Sequence, residues 1–167
     1  MSSRYRELIE RLDLSPHPEG GYYREIYRSP LEIPADQLPG DFNEPRCLGT
    51  AIYFLLPAGQ RSAPHRVHSE EFWIFLEGDG LHLRAHPTLE TGESDDDGGK
   101  PTIDAVLSMN GRRDAIIPPG WWQWASVESS GSHGYCLVAC VVMPGFEFDD
   151  FELAPNHAGH DAPPAGN

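Results

Sequence analysis

Residues 59–78, GQRSAPHRVHSEEFWIFLEG, decide the fold. Gly59 stands six residues before His65, Glu71 six after it, and Gly78 seven after Glu71. Glycines at both ends punctuate the stretch as turns. Between them lies a strand pattern, because His65, Val67 and Glu71 are separated by even offsets. On pleated backbone they share one face, and that face is expected to line a barrel interior. His68 is an odd offset away and is expected to face outward.

Outward from this stretch the chain reads as many short strands. Residues 22–29, 48–56, 66–76, 81–86, 103–108, 114–117, 122–126 and 135–142 carry strand patterns, separated by Pro- and Gly-containing turns. Residues 3–13, SRYRELIERLD, instead carry a helical stripe of Tyr5, Leu8, Ile9 and Leu12. Residues 30–46 hold four prolines and are expected to be irregular. Residues 87–101, PTLETGESDDDGGKP, read as a solvated acidic loop, since they lack the spaced ligands and closing glutamate of an EF-hand. The fold class expected is all-β, a barrel or jelly roll with a short N-terminal helix. One domain over residues 1–153 and a disordered tail over 154–167 complete the expectation.

Composition narrows the function classes. The formal net charge is −14, from 26 acidic residues against 11 arginines and the single lysine Lys100. That balance argues against binding nucleic-acid phosphates. No apolar run is long enough to span a bilayer, and the N-terminus has no apolar signal core, so a cytoplasmic protein with no membrane partner is expected. The three cysteines, Cys47, Cys136 and Cys140, show no CxxC spacing. Cys136 and Cys140 are read as buried reduced thiols on one strand face.

Five boxes occur in order: PHPEGGYYRE at 16–25, AIYFLL at 51–56, HR then EEFWIF at 65–75, PPGWWQ at 118–123 and VMPGFEFDDFEL at 142–153. Together they make the chain resemble a small cupin family marked by PHPEGG, GWWQ and PGF boxes. That family is similar in fold to the dTDP-sugar 3,5-epimerase cupins, which act without a metal. The resemblance implies a double-stranded β-helix barrel, a homodimer, and a small polar, sugar-like ligand. Residues 59–78 match the first cupin motif except that Val67 replaces its second histidine. Gln123 stands where the second motif has its histidine, and Ile74 stands where the family often has one.

Candidate chemistry follows from residue types. A carboxylate aimed into a barrel must be paired, protonated or ligating, because an isolated buried charge is costly. Glu71 is therefore expected to orient His65, leaving a ring nitrogen to act as a base. Tyr53 is the candidate acid. Glu25, Trp73, Trp121 and Gln123 are candidate ligand contacts, with Trp121 and Gln123 on one strand face as an apolar wall plus an amide. No cofactor is expected; the alternative is a divalent metal ion on His65, Glu71 and Gln123. Three functions stay open: a metal-independent isomerase or epimerase, a metal-dependent cupin enzyme, and a binding protein without turnover.

Overall fold

The computed structural model describes residues 4–40, 42–89, 102–128 and 130–155. Helix α1 (Arg4–Arg11) is followed by β1 (Ser15–Pro16), β2 (Tyr22–Arg28), β3 (Glu32–Ile33), β4 (Arg46–Cys47), β5 (Thr50–Pro57), β6 (Arg61–Val67) and β7 (Glu70–Gly78). Then come β8 (Leu81–His86), β9 (Ile103–Leu107), β10 (Asp114–Ile117), β11 (Trp122–Val127), β12 (Tyr135–Met143) and β13 (Phe151–Leu153). Six strands form one sheet in the order β1-β2-β5-β12-β7-β10. Five form the other, in the order β13-β6-β11-β8-β9, and every paired neighbour is antiparallel. A two-stranded ribbon, β3-β4, occupies the proline-rich stretch expected to be irregular.

The main core lies between the two sheets. Phe54, Leu56, Trp73 and Phe75 come from one, and Leu81, Leu83, Ala85, Ala125 and Val127 from the other. These are alternate residues of their strands, as pleated geometry requires. A second core sits on the outer face of the six-stranded sheet. There Leu8 of α1 is fully buried against Leu14, Leu55, Tyr135 and Leu137, with Tyr5, Ile9 and Leu12 around it. The helical stripe read from the sequence is thus the face that seals one side of the barrel.

The structure corrects the expectation of one strand over 66–76. The chain turns at His68 and Ser69, so His65 and Val67 lie at the end of β6 in one sheet while Glu71 is the second residue of β7 in the other. All three side chains are still buried, because the turn preserves the inward parity. Cys136 and Cys140 are buried free thiols, as expected. The acidic run at 93–97 and the tail beyond residue 155 lie outside the described residues.

Among the described residues no helix is long and apolar enough to cross a membrane.

Candidate functional site

A cavity of about 150 Å³ opens between the sheets. Its inner wall is built by β5 (Thr50, Ile52, Phe54), β6 (His65, Val67), β7 (Glu71, Trp73) and β12 (Cys140, Val142). The turn between β1 and β2 delivers two further groups, His17 and Glu19. Gly20 makes that delivery possible. Its φ is +106°, and a Cβ there would run into the carbonyl oxygen of Arg61. With no side chain in the way, the turn lies flat on β6, and the Ala63 amide donates to the Glu19 carbonyl at 2.7 Å. The Glu19 side chain then points inward and is buried.

Glu19 meets His65 there. His65 Nδ1 lies 2.8 Å from the Ala63 carbonyl oxygen, which can only accept, so Nδ1 carries the proton. Nε2 is left with a lone pair, 3.1 Å from Glu19 Oε2. Burial pushes the Glu19 carboxyl up to about 8, although Ser62 Oγ donates to Oε1 at 2.9 Å. Burial also holds His65 below its ordinary value, against the raising pull of Glu71. Near neutral pH the pair is therefore a carboxylic acid beside a neutral imidazole, with the Glu19 hydroxyl donating to Nε2. His17 Nδ1 is 3.4 Å from the same oxygen and accepts from the Glu19 amide at 3.3 Å. Burial, then the neighbouring His65, push His17 down to about 3, so it too is neutral.

Glu71 belongs to a second, rigid set. Trp73 Nε1 donates to Gln123 Oε1 at 2.9 Å, and Gln123 Nε2 donates to Glu71 Oε2. An indole N–H can only donate, so it fixes which way the amide faces. Burial raises Glu71 above the ordinary carboxylate range; His65 and the donated hydrogen bond from Gln123 oppose that rise. Cys140, opposite Trp73 across the β12–β7 ladder, is pushed well up by burial and by the carboxyls Glu71 and Glu19.

The mouth is charged and aromatic. A β-bulge at Ile26 shifts the register between Glu25 and Tyr27, so Arg28 joins Tyr23 and Glu25 on the cavity face. Ile26 and Tyr27 are left exposed. The segment after β12 crosses the opening and brings Phe146, Glu147, Phe148 and Phe151 to the cavity. It is anchored by the buried pair Arg46–Asp150, two bonds of 2.7 Å each, and by β13 pairing with β6.

Several sequence expectations are corrected. Tyr53 is an odd offset from Ile52 and Phe54, so it faces the helix on the outer side of the sheet and is not in the cavity. Trp121 packs against the main core at the turn before β11 and does not line the cavity. Gln123 lies fully buried behind the wall, its amide spent on Trp73 and Glu71, so it positions other residues rather than touching a ligand. The partner within salt-bridge distance of His65 is Glu19, not Glu71. Ile74 alternates with Trp73 and so points away from the cavity. Glu25 and Trp73 do line the cavity, and His68 does face outward.

The metal set of His65, Glu71 and Gln123 does not fit. Gln123 presents its NH2 group, not its oxygen, to Glu71. Among the described residues no three His, Cys, Asp or Glu side chains converge to hold an ion.

Sequence reasoning missed Glu19, His17, Tyr23 and Arg28 as site residues. By composition the EGG triplet, Glu19-Gly20-Gly21, signals only a turn. An acidic residue wedged between Pro18 and two glycines was the available signal.

Comparison with known proteins agrees with this architecture. A family model described as Cupin superfamily (DUF985), Cupin_5, matches residues 6–154. Protein SO0799 from Shewanella oneidensis, solved by X-ray crystallography, is 33% identical, with a TM-score of 0.69 over 92% of this chain and 85% of its own. A hypothetical protein from Leishmania major is 31% identical, with a TM-score of 0.71 over 94% and 90%. The uncharacterized protein YML079W of Saccharomyces cerevisiae is 28% identical over 158 residues, 89% of this chain and 74% of its own length.

Proposed function

We propose that this chain, which belongs to the DUF985 family of the cupin superfamily, is a metal-independent isomerase or epimerase acting on a small sugar-like carbonyl compound. The observation that carries the reading is the Glu19–His65 pair, 3.1 Å apart in the cavity wall with His65 Nδ1 tied to a backbone carbonyl. A carboxylic acid and a neutral imidazole side by side are an acid and a base in one place. Glu19 gives its proton to the substrate carbonyl oxygen, and His65 Nε2 takes the proton from the adjacent carbon. The C–H electron pair becomes the C=C bond of an enediol, and the carbonyl π pair becomes the new O–H bond. The two side chains become carboxylate and imidazolium. Protonating the former carbonyl carbon while the Glu19 carboxylate takes the proton of the neighbouring hydroxyl isomerises the compound; protonating the original carbon on its other face while Glu19 takes back the O–H proton epimerises it.

The pair's total charge is zero before and after the swap. A buried site is well served by such an exchange, because creating a lone net charge there is the expensive step. Tyr23 lines the same cavity and replaces Tyr53 as the hydroxyl available for the return proton. The cavity's 150 Å³ lies below the roughly 300–1,000 Å³ of drug-sized sites. A compound of monosaccharide size or smaller suits it.

The test is solvent exchange. Aldoses and ketoses of three to six carbons are incubated with the protein in D2O and EDTA, and deuterium at the carbon beside the carbonyl is followed by NMR. The expected result is enzyme-dependent exchange abolished by His65→Ala and by Glu19→Gln. No exchange with any compound, exchange that survives both substitutions, or exchange restored only by added metal would contradict the proposal.

A further inference from the structure

We infer that the mouth of the cavity selects an uncharged compound and refuses its phosphorylated counterpart, with Arg28 as the specificity-determining residue. The inference rests on reading this cavity as the ligand site. Among the described residues that line it, Arg28 is the only lysine or arginine. A guanidinium has five N–H donors, and Arg28 has a partner for each. Nε donates to Glu25 Oε1 at 3.0 Å, and one Nη2 hydrogen to Glu25 Oε2 at 2.9 Å. The second Nη2 hydrogen meets the Phe146 carbonyl at 3.1 Å. Nη1 meets Glu147 Oε1 at 2.5 Å and Cys47 Sγ at 3.9 Å.

Arg28 is therefore satisfied before any ligand arrives. Two carboxylates share one guanidinium, so the three side chains at the mouth sum to one negative charge. An incoming phosphate would have to displace a carboxylate from Arg28 and then lie beside it. Of the histidines in the lining, His17 Nδ1 and both ring nitrogens of His65 are committed to Glu19 and the Ala63 carbonyl. Among the described residues of the lining, no ready-made cation faces an anionic group. An uncharged polyhydroxylated compound meets no such penalty. It finds carboxylate acceptors at the rim and the aromatic faces of Phe146, Phe148 and Phe151 beside them.

Inorganic phosphate and pyrophosphate are the probes, read by thermal shift and calorimetry on four proteins: wild type, Glu147→Gln, the double variant Glu25→Gln/Glu147→Gln, and that double variant with Arg28→Met. Wild type is expected to show no saturable binding. Freeing Arg28 should raise anion affinity by about tenfold or more, and Arg28→Met should remove the gain. Glu147→Gln alone, at an exposed site, keeps the test readable if the double variant folds poorly. Saturable phosphate binding by wild type that Arg28→Met abolishes in an otherwise wild-type chain would overturn the inference. So would variants that gain no anion binding. These readouts need no turnover, so loss of the isomerase reading in the D2O experiment leaves this result standing, and the reverse.

Discussion

Among the described residues, four glutamates face one cavity and divide into two pairs. Glu19 and Glu71 lie in the wall, where burial raises both carboxyls. Glu25 and Glu147 lie at the mouth, half-exposed and ion-paired to Arg28. The difference teaches that the residue type alone assigns no role here. Burial favours the protonated form of one pair, while the other is held in ion pairs with Arg28. The wall pair also differs internally. Glu19 contacts two histidines and a hydroxyl, whereas Glu71 is held by the Gln123 amide and the Cys140 thiol, which burial keeps protonated.

The largest effect should come from breaking the clamp. Gln123→Leu leaves the buried Trp73 indole N–H without an acceptor and takes the amide donor from the buried Glu71 carboxyl, a loss of about 2–4 kcal/mol. Urea unfolding checks this; a loss below about 1 kcal/mol would mean that the network bears little of the barrel's stability.

The pH profile sharpens the contrast between wall and mouth. Glu19 moves from an ordinary 4.5 in the unfolded chain to about 8 when folded. The folded state thus holds a proton that the unfolded state has lost, and stability falls as pH rises through that window. His17 moves from 6.5 to about 3, so its contribution to stability rises between those values. The two oppose each other between 4.5 and 6.5, and above 6.5 the decline from Glu19 stands without that offset. Glu19→Gln should flatten the fall between pH 6.5 and 8 in melts across that range. An unchanged fall would locate the titrating group elsewhere.

The smallest effect belongs to the mouth. Glu147→Gln should cost less than about 1 kcal/mol, because the pair it breaks is solvent-screened. A larger loss in chemical unfolding would show that the Arg28 cluster, and not Arg46–Asp150, anchors the segment after β12.

The barrel was legible because its signals are local: alternation in β7 and β8, the stripe of α1, and glycines at the turns. His65, Glu71, Glu25 and Trp73 followed from the same parity. Glu19 did not, since its place depends on a turn pressed against β6, a long-range contact that no periodicity encodes. Arg28 was hidden by the bulge at Ile26, where one extra residue reverses which side chains face inward. Tyr53 failed for a related reason. Its strand is buried on both faces, so an apolar run could not say which side looks into the cavity. Gln123 was correctly placed inward, but only the Trp73 indole reveals that its oxygen is already used.

The central claim is that Glu19 and His65 rest as a neutral acid–base pair. Carbon-13 NMR of side-chain-labelled glutamate, assigned with Glu19→Gln, measures it directly alongside the nitrogen-15 shifts of the His65 ring. The account predicts a Glu19 carboxyl that stays protonated through pH 7 and titrates near 8, with His65 in the Nδ1–H form throughout. A Glu19 carboxylate already ionised at pH 6 beside an imidazolium would contradict it.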